Sequence, residues 1–86
     1  MRTEKKRRFE PGFGGGLPII EFTGNRRVLV EGSTGIVRYE SEAVSLNTRR
    51  MLVTFNGRGL TLRSISPTAV IVDGVILSTE FLSYAT

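Results

Sequence analysis

The chain has 86 residues, carries a formal net charge of +4 and contains neither cysteine nor histidine. A chain of this size forms one small domain. The missing residue types exclude disulfides, thiolate or imidazole metal sites, cysteine nucleophiles and histidine bases. Composition therefore favours a protein that is not an enzyme and uses no cofactor, metal or small-molecule substrate.

Residues 1–16 are predicted to form a flexible leader that is basic and rich in glycine. The first ten residues carry five basic and two acidic side chains, a net +3, so the rest of the chain is nearly neutral. The glycine run at 12–16 lacks the Gly-Lys-Ser/Thr of a phosphate-binding loop and fails the G-x-G-x-x-G pattern. We interpret it as a linker. Because no apolar run approaches a membrane span or a signal peptide, we expect a soluble, cytoplasmic protein.

Residues 17–86 are predicted to be an all-β domain. Short runs of β-branched and aromatic residues alternate with Gly, Asn, Ser and Pro every eight or nine residues. Asn56-Gly57 and Asp73-Gly74 predict two-residue turns. We expect a small antiparallel meander rolled into a sandwich or open barrel, with a short β-solenoid as the alternative. The predicted strands cover residues 19–23, 27–31, 36–40, 44–47, 51–55, 60–65, 68–72 and 75–81.

Alternation along these strands separates a core face from a second face. The second face is partly apolar, since Leu29, Leu52 and Ile71 lie on it. An apolar second face in so small a domain predicts an interface with another copy or a partner. The predicted core residues are Val28, Val30, Tyr39, Val44, Leu46, Val53, Phe55, Leu60, Leu62, Ile65, Val70, Val72 and Ile76.

Basic residues occur in three groups, which are candidate contacts with an anionic surface. Charges at strand entries also protect sheet edges from unwanted pairing, so the two arginine pairs have a structural explanation as well. The leader could add to attachment at an anionic membrane. Two nearby carboxylates, Glu40 and Glu42, are interpreted as turn residues and not as a catalytic pair. The basic candidates are Lys5, Lys6, Arg7, Arg8, Arg26, Arg27, Arg49 and Arg50.

The segment from Leu17 to Leu82 resembles the YabP/YqfC family of sporulation proteins, and the YqfC branch in particular. Residues 56–65 resemble the family's G-x-x-L-x-I-x-x-I stretch. The pattern consists of apolar strand positions and turn glycines, and no catalytic residue of the family is carried over to this chain. The other matching residues are Leu17-Pro18, Gly24-Asn25, Gly35-Ile36, Tyr39, 44–48, Pro67, 70–76 and Glu80-Phe81-Leu82.

The resemblance implies a small protein of the mother cell in a sporulating bacterium, connected with spore coat assembly or forespore development. Genes of this type typically neighbour a gene for a membrane protein, which implies a membrane-embedded partner. We therefore predict an interaction or scaffold module that self-associates or docks onto that partner, in the cytoplasm or peripherally at the membrane. The alternative is a small basic β-barrel that binds RNA or DNA through the leader and the arginine pairs.

Overall fold

The structure, a computed structural model, describes residues 16–84, which form a single six-stranded sheet without a helix. The sheet order is β1-β2-β6-β5-β4-β3, and every neighbouring pair is antiparallel. The antiparallel all-β prediction is confirmed, and the solenoid alternative is wrong. The strands are β1 Ile19–Thr23, β2 Arg27–Glu31, β3 Ser33–Glu40, β4 Ala43–Thr48, β5 Met51–Ile65 and β6 Ala69–Ser83.

Two strands of 15 residues, β5 and β6, form a long hairpin at the centre of the sheet. The sequence predicts each of them as two strands joined by a turn, and both turn predictions are wrong. Asn56-Gly57 and Asp73-Gly74 lie inside the strands, where the β5–β6 register shifts. A glycine that would suit a turn also suits a bulge or a close backbone approach. The hairpin turns instead after Ile65, where Ser66 N–H donates to Ala69 O at 2.8 Å.

The hairpin bends around these glycines, and the bend divides the sheet into two layers. The first layer contains β1, β2 and the paired ends of β5 and β6 at residues 61–65 and 69–73. The second contains β3, β4 and residues 51–56 and 78–83. Phe22 of β1 meets Phe55 of β5 edge to face at a centroid distance of 6.1 Å, although these strands are not neighbours. The two layers therefore pack face to face.

The core between the layers agrees with most of the predicted core list. Ten of the thirteen predicted residues form the buried cluster, and Leu62 packs against it. Tyr39 and Ile65 were wrongly predicted as core, because they are 51% and 59% exposed. Both lie at edges of the sheet, where strand alternation continues but nothing covers the side chain. Tyr39 still links the layers, since its hydroxyl accepts the Leu62 N–H at 3.2 Å.

The connection from β2 to β3 carries the chain from one layer to the other. Only Gly32 separates the two strands, yet they do not pair with each other. The N–H groups of Gly32 and Ser33 both donate to Thr68 O, at 2.7 and 3.1 Å. The β5–β6 turn therefore bonds to the β2–β3 connection. This contact holds the two layers together at the end away from the bend.

Candidate interaction surfaces

A bidentate ion pair joins β2 to β6 beside the bend. Arg27 Nε and Nη2 donate to the two carboxylate oxygens of Asp73 at 2.6 and 2.9 Å. Arg63 Nη1 lies 3.6 Å from the same carboxylate. The hydrogen bonds from Arg27, together with its charge and that of Arg63, hold the pKa of Asp73 below its ordinary value. Arg27 is thus engaged in binding two neighbouring strands together.

An open depression of about 390 Å³ lies next to this ion pair. Arg26 Nε donates to Gly74 O at 3.2 Å across it. Within residues 16–84, no group of three His, Cys, Asp or Glu side chains could hold a metal ion. The depression presents arginine donors that are already bonded to the protein. Its lining residues are Thr23, Arg26, Arg27, Asp73 and Gly74.

Asp73→Asn is expected to destabilise the protein at neutral pH, and its difference from the unchanged protein should shrink in acid. Because the pKa of Asp73 is lower in the folded protein than in the unfolded chain, the unfolded chain takes up the proton first. The stabilisation is therefore complete above the ordinary carboxyl pKa and is lost as the pH falls through the lower folded pKa. Urea unfolding at a series of pH values measures this.

Glu40→Gln is the matched control for that series. Its ion pair with Arg38 is more than half exposed on both sides, and such pairs contribute about 0–1 kcal/mol. A loss of stability in Asp73→Asn that stays constant from neutral to acid pH would contradict the role given to the carboxylate charge.

The two arginine pairs lie far apart, one at the bend end of the first layer and the other at the far end of the second layer. Arg26 and Arg27 are beside the bend, where Gly74 N–H donates to Arg26 O. Arg49 and Arg50 lie between β4 and β5, about 20 Å from the bend at strand spacing. The structure therefore does not bring the pairs into one basic patch.

The leader joins the domain at the Arg49–Arg50 end. A Cβ placed on Gly16 would lie 3.3 Å from Arg50 Cγ and 3.7 Å from Arg49 Cβ. The candidate contacts Lys5, Lys6, Arg7 and Arg8 lie outside the described residues.

The three apolar residues of the predicted interface lie on the outer faces of two different layers. Leu29 and Ile71 are direct cross-strand neighbours on the first layer, and both are partly buried. Leu52 lies on the second layer, opposite Asn47 on one side and Leu82 on the other. The predicted interface residues therefore form two separate surfaces.

A larger set of exposed apolar side chains lies at the end of β6. Leu77 and Leu82 are each 62% exposed, and Phe81 is 57% exposed. Phe81 lies on the core face of its layer, because its cross-strand partner is the fully buried Val53. Sequence analysis did not assign these residues to an interface. The available signal was the sparse charge after Gly74, where Glu80 is the single charged residue as far as Thr86.

This end of β6 is an open edge. The strand pairs with β2 over residues 69–73, and the β1–β2 turn adds two bonds, from Gly74 N–H to Arg26 O and from Ile76 N–H to Asn25 O. Beyond Ile76, β5 is the one strand of the described chain that pairs with it.

Hydrogen-bonded and non-bonded pairs alternate along an antiparallel ladder. Tyr84 N–H donates to Arg50 O, so the main-chain groups of Leu82 and Glu80 also point towards β5. It follows that the N–H and C=O groups of Thr79, Phe81 and Ser83 point away from the sheet. We call residues 79–83 the open β6 edge.

The other edges of the described sheet have features that discourage pairing. Strand β1 is only five residues long and carries Glu21. Strand β3 has two register shifts and the Arg38–Glu40 ion pair. The end of β5 has a register shift and Arg63. In contrast, residues 78–83 keep an unbroken register with β5, so the open β6 edge is the least protected one.

The residues that the structure describes contain no helix long and apolar enough to cross a membrane. Among known families, the model of the YabP family matches residues 18–86 of the chain. Comparisons with curated proteins and with solved structures gave no match.

Proposed function

The chain belongs to the YabP family and is thus a sporulation-related protein, and on that premise we propose that it is a non-enzymatic β interaction module. It acts in the mother cell, in spore coat assembly or forespore development, by docking onto further copies or a membrane-embedded partner. The observation that carries this proposal is the open β6 edge with its exposed apolar side chains. Main-chain groups on a free edge supply hydrogen bonds, and apolar side chains beside them supply buried area.

The leader adds an electrostatic contact in this proposal. Lys5, Lys6, Arg7 and Arg8 precede Gly16 in the sequence, and Gly16 lies beside Arg49 and Arg50. Each basic residue near an anionic leaflet contributes about 1 kcal/mol, so this end of the domain supports an attachment made elsewhere. The protein then stays cytoplasmic but close to the membrane that holds its partner.

Deleting the gene in the bacterium that encodes it is the experiment that tests the proposed function. We expect a loss of heat-resistant spores that the unchanged gene restores. A variant with Glu40→Gln and Glu42→Gln should restore them equally, because the module needs no carboxylate for catalysis. An unchanged spore count after deletion contradicts the role in sporulation, and failure of the double variant, if it is folded, contradicts the non-enzymatic role.

The outer apolar residues provide a separate test of docking through sheet faces. Ile71→Glu and Leu52→Glu place a charge on the first and second layer respectively, at partly buried positions. If these faces are interfaces, each variant keeps its circular dichroism spectrum but loses oligomeric mass or partner binding. If mass and partner binding are also unchanged, docking occurs through the sheet edges alone.

A further inference from the structure

We propose that the open β6 edge pairs with the same edge of a second copy, antiparallel and around a two-fold axis at Phe81. This inference rests on the proposed function, because it names the partner of the surface that carries it. The product joins the second layers of the two copies into one sheet of eight strands, with the two β6 strands at its centre.

The uncovered core face is the first reason for a strand at this position. Val53 and Phe55 on β5 are fully buried, whereas their partners on β6 are accessible, Phe81 by 57% and Thr79 in part. The apolar face thus continues to the edge of the sheet and ends there without a cover. An added strand would cover Phe81 and also bond the outward N–H and C=O groups of residues 79, 81 and 83.

Three other registers are less favourable than the one centred on Phe81. A pairing centred on Glu80 would place two carboxylates directly opposite each other, in the close spacing of a non-bonded pair. A pairing centred on Leu82 shortens the hydrogen-bonded overlap by two residues. A pairing centred on Thr79 would push the second strand against the β1–β2 turn, where Asn25 already bonds Ile76 through two hydrogen bonds. The register centred on Phe81 avoids all three problems.

Side chains in that register complement one another. Phe81 lies opposite Phe81 of the second copy, and aromatic cross-strand pairs are among the favourable ones. The hydroxyls of Thr79 and Ser83 face each other across the same strands. Glu80 lies opposite Leu82 of the second copy, on the outer face.

The charges of the two copies also fit. Tyr84, whose N–H bonds Arg50 O, comes to lie across from Ser78 of the second copy. Glu80 of one copy, opposite Leu82 of the other, is thereby placed two residues from the position that pairs with Arg50, at the end of the domain where Gly16 lies. A second copy therefore covers the apolar side chains of this edge and also complements its charge.

Single cysteines test the register directly, because the chain has none of its own. In a hydrogen-bonded antiparallel pair the Cα atoms are about 5.5 Å apart, within the range that a disulfide spans. We expect the full-length Phe81→Cys variant to be recovered as a disulfide-linked dimer under a mild oxidant. Thr79→Cys alone should not form the disulfide, since its counterpart would be about 13 Å away along the strand, but it should cross-link when mixed with Ser83→Cys.

Ile65→Cys is the matched control, at an apolar residue of similar exposure on the edge of β5. A second variant, Phe81→Lys, should lose the dimer while its circular dichroism spectrum is retained, and Ile65→Lys should keep it. The inference is overturned if Phe81→Cys cross-links no faster than Ile65→Cys, or if Thr79→Cys alone cross-links as readily as Phe81→Cys. It is also overturned if the unchanged chain is monomeric at every concentration tested.

These outcomes are distinguishable from a failure of the proposed function. A chain that is monomeric but still restores heat-resistant spores is an interaction module without this self-pairing. A chain that dimerises through Phe81 but whose deletion leaves sporulation intact supports the pairing and contradicts the function.

Discussion

Gly57→Ala is expected to lower the free energy of unfolding by about 3 kcal/mol or more, which is enough to unfold much of so small a domain. A Cβ at this position would lie 1.9 Å from Val75 O and 2.9 Å from Val75 C. Both are backbone atoms of the neighbouring strand, so no side chain can rotate away to make room. The two long strands would have to separate at the bend that positions both layers.

Gly35→Ala is the matched control for that prediction. Gly35 also lies in a strand, but a Cβ there would meet nothing within 4 Å, and its φ is not positive. We expect a change of about 0.5 kcal/mol or less. Urea unfolding followed by circular dichroism measures both variants. Equal stability of Gly57→Ala and Gly35→Ala would contradict the close approach of β5 and β6 at the bend.

Phe55→Ala is expected to cost about 3–5 kcal/mol of unfolding free energy, the range for truncation of a buried aromatic residue. Phe55 is fully buried on β5, and its ring contacts Phe22 of the other layer. Removing it leaves a cavity at the contact that holds the layers face to face. The same urea titration gives the magnitude.

Ile65→Ala provides the comparison, because strand alternation predicted Ile65 as core while the structure exposes it by 59%. The expected loss is below about 1 kcal/mol. A loss as large as that of Phe55→Ala would mean that the edge of β5 is covered, contrary to the fold described above.

Local pattern predicted the outer strands well. The bounds of β1 and β2 were predicted as observed, and β3 and β4 were extended by only a few residues. The long hairpin was not predicted, because Asn56-Gly57 and Asp73-Gly74 have the chemistry of tight turns. Whether such a glycine turns the chain or allows two strands to approach depends on what lies opposite it. Here each glycine of the bend faces the backbone of the other strand, and sequence alone does not contain that information.

The candidate surface was harder to predict for a related reason. The open β6 edge exists because β2 stops pairing with β6 at Asp73. The partner of Asp73 in this pairing is Arg27, which is 46 residues away in sequence, so the local pattern of β6 does not show where the pairing ends. The alternation of β6 placed Val70 and Val72 correctly in the core but could not show that Phe81, on the core face farther along, would be uncovered. Leu29, Leu52 and Ile71 were predicted to share a face, and the bend of the hairpin distributes them over two.

The solution mass of the full-length chain, by light scattering behind size exclusion over a range of concentration and salt, tests the self-pairing interaction module most directly. The account predicts twice the chain mass of 9.5 kDa for the unchanged protein. This mass should persist at about 1 M salt, where charges are screened within about 3 Å, because apolar contacts and main-chain bonds hold the edges together. Phe81→Lys should return to the single-chain mass. A single-chain mass for the unchanged protein at every concentration, or a dimer that Phe81→Lys leaves intact, would contradict it.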